Sequence, residues 1–117
     1  MVPEIKSHAL IGGEALETYR PEDAENFNVT LRLLVGPKGQ PGEESFDITI
    51  CTPASLAEEC SAKGFVVGRH RLVVSTYEPS LIMDTVTNLV TRCSGLAWTD
   101  VSSRLGRIAM WEFEDYH

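Results

Sequence analysis

The stretch from Phe27 to Pro53, FNVTLRLLVGPKGQPGEESFDITICTP, decides the fold. Phe27, Val29, Leu31, Leu33 and Val35 alternate with Asn28, Thr30 and Arg32, the period of a half-buried strand. Gly36, Pro37, Gly39, Pro41 and Gly42 then break the pattern, and Phe46, Ile48 and Ile50 restart it around Asp47 and Thr49. Two strands joined by a turn-rich connection follow. That connection is too long for a two-residue hairpin turn, so an exposed, mobile tip is expected around Lys38 to Glu44. Thr52-Pro53 closes the unit as an N-cap followed by proline at the first helical position. Leu33 and Leu34 put apolar side chains on both faces, which marks this strand as central.

Working outward, Glu4 to Leu10 reads as a first strand broken by Gly12-Gly13, and Arg20 to Asn26 as a polar loop with a turn at Pro21. Pro53 to Lys63 reads as a short helix ended by Gly64, where glycine accepts the left-handed conformation. Leu56 and Cys60 should face inward, Glu58 and Glu59 water. Arg69 to Tyr77 reads as a third strand of clear alternation. Pro79 to Cys93 carries Ile82, Val86, Leu89, Val90 and Cys93 at helical spacing. Thr99 is placed to cap a last helix bearing Val101 and Leu105, which Gly106 ends. Arg107 to Phe113 is the final strand, with Trp111 and Phe113 on one face and Glu112 and Glu114 on the other. This order predicts an α+β fold: a mostly antiparallel β-sheet with two to three helices packed on one face. Residues 1–117 make a single domain, large enough to bury roughly 65% of the unfolded chain's surface.

The net charge of −7 is unevenly placed: residues 1–60 hold eleven acids against four bases, and residues 61–117 hold six of each. An acidic half-surface repels nucleic acid and anionic membrane and favours a basic partner. No apolar run approaches the ~20 residues that span a bilayer. The start, MVPEIKSHALIGG, lacks the features of a signal peptide, so a cytoplasmic location is expected. Cys51, Cys60 and Cys93 are odd in number and set among apolar residues, which reads as buried free thiols.

Catalytic chemistry finds little to stand on. His8, His70 and His117 lack metal-ligand spacing with one another or with the cysteines, so no metal and no cofactor are expected. Cys51 with His70 is the one conceivable nucleophile–base pair, but the sequence shows no group to orient it. Arg69 and Arg71 are too few for a nucleic-acid surface and are expected to answer nearby carboxylates. The glycines near Gly36 do not form a phosphate loop, because the Lys-Ser or Lys-Thr pair is missing. The chain therefore reads as a binding protein and not as an enzyme.

The string GPKGQPGEESFDITICTP, together with the terminal WEFEDY, resembles the Imm8 family of bacterial immunity proteins. Arg20 to Phe27, Val35 to Pro53, Val67 to His70 and Gly106 to Tyr116 carry the likeness. The residues after Pro53 are Ala54, Ser55 and Leu56, where the family pattern usually has a large aromatic followed by leucine. The resemblance implies a protein that binds and neutralises the C-terminal toxin domain of a polymorphic or contact-dependent toxin, by occluding its active site or substrate path. It implies no catalytic residues. The acidic charge adds the expectation of a nuclease-like toxin with a basic substrate surface. A small acidic protein-binding subunit or chaperone-like module, unrelated to any toxin, is the alternative.

Two arguments place the partner surface. Toxin and immunity protein diversify together, so specificity should sit where the chain departs from the family pattern: Ser7 to Tyr19 and the exposed face of Leu81 to Leu96. Charge points to Glu14, Glu17, Glu22, Asp23 and Glu25, with Glu43 and Glu44 at the hairpin tip. Glu14 and Glu17 satisfy both arguments.

Overall fold

The computed structural model describes residues 1–113. Its strands are β1 (Pro3–Leu10), β2 (Asn28–Pro37), β3 (Glu44–Cys51), β4 (Arg71–Val73) and β5 (Met110–Trp111). Its helices are α1 (Pro53–Lys63), α2 (Pro79–Thr91) and α3 (Trp98–Leu105). The strand and helix order is the one expected. β1, β2 and β3 form an antiparallel meander, and β3 also pairs with β4 in parallel and with β5 antiparallel. The result is a mixed, mostly antiparallel sheet in an α+β fold. β2 and β3 are both interior strands.

The alternation of the opening stretch has a direct outcome. Leu31 lies opposite Ile48 and Leu33 opposite Phe46, and all four are buried. They meet Ile82, Val86 and Val90 of α2 and Val101 and Leu105 of α3 in one core. The other face carries Arg32 opposite Asp47, joined by two bonds of 2.9 and 3.0 Å. That geometry is the bidentate pairing that arginine makes with a carboxylate.

Local chemistry sets the bounds of α1. The Thr52 hydroxyl accepts from Ser55 N–H, and Ser55 Oγ accepts from Thr52 N–H, a reciprocal cap. Pro53 takes the first position, and Gly64 ends the helix at φ 86°. Yet α1 buries none of its residues, and Ala54, standing where an aromatic is usual, is exposed. The inward placement of Cys60 is therefore overturned: its thiol is exposed, while Cys51 and Cys93 are buried. Glu59 does not face open water. It pairs at 3.1 Å with Arg71, whose side chain is 19% exposed against 21% for Glu59. Arg71 thus answers a carboxylate, as expected.

The later strands are shorter than the alternation implied. β4 spans Arg71–Val73 and not Arg69 to Tyr77: His70 sits at φ 61° and turns the chain just before it, and a bend at Ser75 and Thr76 follows it. β5 spans only Met110–Trp111. Trp111 packs against the core, but Phe113 is 44% exposed and stacks edge-on against Trp111. Phe113 is thus not a core residue. Glu114, placed opposite it in the sequence reading, lies outside the described residues. α3 starts two residues earlier than a cap at Thr99 implied. Ala97 is its N-cap, and the Asp100 carboxylate accepts Ala97 N–H at 3.1 Å.

Candidate functional site

The acidic segment belongs to the connection between β1 and β2. This connection contains no helix or strand, yet it is held at several points. Leu16 is fully buried. The Tyr77 hydroxyl donates to Leu16 O at 2.8 Å, and Tyr77 N–H donates to Ala24 O. The Tyr77 ring meets Tyr19 and Phe27 edge-on at 5.8 and 5.0 Å. Burial pushes the Tyr77 phenol up, with the neighbouring Tyr19 a smaller cause, so it remains a donor. An irregular loop pinned in this way displays its side chains in fixed positions, as binding loops on rigid scaffolds do.

Glu14, Glu17, Glu22, Asp23 and Glu25 are all exposed on this loop. Asp23 Oδ1 accepts Glu25 N–H at 2.9 Å, which closes a local turn. Arg20 spends its guanidinium on the carbonyls of Glu17 and Tyr19. Glu58 of α1 joins the cluster through Asn26, whose amide donates to it at 2.8 Å. Tyr19, Glu22, Asp23, Asn26 and Glu58 line a shared concavity of about 710 Å³.

The hairpin acids stand elsewhere. The loop enters β2 at Asn28 and the hairpin turn leaves it after Pro37, a span of roughly 30 Å along a strand of this length. Glu43 is exposed there. Glu44 is half-buried, and its two carboxylate oxygens accept the indole N–H groups of Trp98 and Trp111. It ties β3 to α3 and β5, a structural use of its charge. Sequence spacing could not reveal it, since the partners lie 54 and 67 positions away.

The remaining candidates for chemistry are occupied by the fold. Cys51 is fully buried. Desolvation pushes its thiol up, and the nearby Arg71 offsets this only in part, so the nucleophilic thiolate is disfavoured. The His70 ring donates from Nε2 to Gly106 O at 2.8 Å. Among the described residues no three His, Cys, Asp or Glu side chains are grouped to hold a metal ion, and no helix is long and apolar enough to cross a membrane.

A family model described as Immunity protein 8, Imm8, matches residues 3–116. The chain belongs to the Imm8 family. No curated protein and no solved structure is similar enough to match it.

In this Imm8 protein, Glu17 of the β1–β2 loop pairs with a side chain of β1. Glu17 Oε1 lies 2.6 Å from His8 Nε2, and the hydrogen bond from His8 lowers the Glu17 pKa. A lowered carboxylate pKa stabilises the fold above the unfolded value, and that contribution is lost as pH falls through the folded value. His8→Ala should therefore raise the Glu17 pKa toward that of a free glutamate, as followed by carboxyl NMR titration. An unchanged value would mean that the pair does not form in solution.

Proposed function

We propose that this Imm8 protein binds the C-terminal domain of a cognate bacterial toxin and neutralises it by covering its active site or substrate path. The family match over residues 3–116 carries the reading. Inhibition on this view is stoichiometric and needs no turnover by the immunity protein. The acids of the β1–β2 loop supply the approach: Glu14, Glu17, Glu22, Asp23 and Glu25 present one sign of charge from a pinned loop. A nuclease-like toxin offers the matching surface, because it must attract a phosphate backbone. Charges of this kind act chiefly on the rate of encounter and on its salt dependence.

The test is the association rate with the cognate toxin domain, at low and high salt. Reversing Glu14 and Glu17 to lysine should slow association at low salt by about tenfold or more, within the range that electrostatic steering spans, and flatten the salt dependence. The melting temperature should change little, since both residues are exposed. Identical rates for variant and parent at both salt levels would remove these two residues from the interface.

A further inference from the structure

We infer that Tyr77 is a positioning residue for toxin binding: it holds the acidic β1–β2 loop in the shape that meets the partner, from inside the fold. This rests on the immunity reading above and deepens it.

The loop runs from Ile11 to Phe27. A connection of that length without helix or strand has little order of its own, and ordering it at the moment of binding weakens a complex. Here the order comes from a distant part of the chain. Tyr77 lies between β4 and α2. Its hydroxyl donates to Leu16 O and its N–H to Ala24 O, each at 2.8 Å. Its ring meets Tyr19 and Phe27 edge-on. Glu17, Glu22 and Asp23 fall between the two hydrogen-bonded residues, and Glu14 and Glu25 lie just outside them. One buried residue thus brackets the acids proposed to meet the toxin.

The other ties to the scaffold hold less. His8–Glu17 and Asn26–Glu58 are exposed pairs, and polar contacts open to water contribute little. Thr52 accepts Phe27 N–H, which fixes the entry into β2 and not the acids. Arg20 bonds only carbonyls of its own segment. Tyr77 is 8% exposed and Leu16 fully buried, and a hydrogen bond withdrawn from water is costly to lose. The shape of the loop therefore depends most on the Tyr77 hydroxyl.

A distinct pattern in binding follows. Tyr77→Phe keeps the ring and removes the hydroxyl, so the Leu16 carbonyl loses that donor while every charge stays in the chain. A looser loop is competent to bind for a smaller fraction of the time, and apparent affinity falls by that fraction. Long-range steering depends on charge and is unaffected.

The experiment uses the full chain and the cognate toxin domain. Tyr77→Phe should weaken equilibrium affinity by about tenfold, the scale of one buried hydrogen bond, at low and high salt alike. Its association rate should follow salt as the parent's does, unlike that of the Glu14 and Glu17 reversals. Ile48→Val, a core change in β3 that lowers stability away from the loop, should leave the affinity at the parent's value. Amide exchange on the free proteins reads the loop directly. The N–H groups of Thr18, Tyr19 and Tyr77, all hydrogen-bonded in the parent, should exchange faster in Tyr77→Phe, with β2 and β3 as protected as before. Parent-like affinity of Tyr77→Phe, unchanged loop exchange, or an equal loss of affinity in Ile48→Val would overturn the positioning role and leave the immunity reading standing. Rapid exchange of the Tyr77 N–H in the free parent, which needs no variant, would overturn it too. A folded parent chain that binds no toxin domain would overturn both.

Discussion

Phe46→Ala should lower the stability of this chain by about 3–5 kcal/mol, the usual range for truncating an aromatic side chain in a core. Phe46 is fully buried. It lies opposite Leu33 on one side and Trp111 on the other, so one side chain joins β2, β3 and β5. β3 is the strand that β2, β4 and β5 all pair with, so the resulting cavity would open at the centre of the sheet. Neighbours can close it only by moving a strand. Denaturant unfolding of variant and parent measures the difference. A loss under about 1 kcal/mol would mean that the sheet repacks freely there, against the close packing of protein interiors.

Gly36→Ala is expected to cost about 2–3 kcal/mol or more, a large effect for one methyl group. Gly36 lies within β2 and outside the left-handed region, so conformational freedom is not the reason. The reason is space: a Cβ there would lie 1.9 Å from Gly42 O and 2.9 Å from Gly42 C. Both are backbone atoms, and the loop can relieve the clash only by opening. Gly39 makes the contrast. It has φ 74° and no atom near its missing Cβ, so Gly39→Ala should cost only the ~1–2 kcal/mol of a left-handed residue. Denaturant unfolding should rank Gly36→Ala well above Gly39→Ala, with faster amide exchange along the hairpin. Equal costs at the two sites would contradict the close approach.

What the sequence made legible follows the range of the forces involved. The helix from Pro53 to Lys63 came out with its observed bounds because Thr52, Pro53 and Gly64 act within a few residues. The β2–β3 pair was legible because alternation reports a buried face directly. β4 was overextended at both ends: His70 turns the chain in the left-handed region just before Arg71, and past Val73 the chain bends at Ser75 and Thr76 so that Tyr77 N–H donates to Ala24 O in the β1–β2 loop. Tyr77 serves a loop 61 positions upstream, and nothing local announces that. Phe113 looked like core because it alternates with Glu112, but the sheet pairing reaches only Trp111.

The site was legible in its parts and not in their arrangement. Net charge located the acids of the β1–β2 loop, and all five are exposed. Counting charge could not separate Glu43, which is exposed, from Glu44, which two indoles hold inside the fold. Nor could it show that Glu17 stands on His8 of β1, a pairing that only the tertiary structure brings about.

The central claim is that this chain neutralises a toxin by binding it. The most direct measurement is growth of cells that express the cognate toxin domain, with and without the chain. Growth should stop with the toxin domain alone and recover when the chain is co-expressed, and the two proteins should purify together as a complex. Undiminished killing in the presence of folded, soluble chain would contradict the claim.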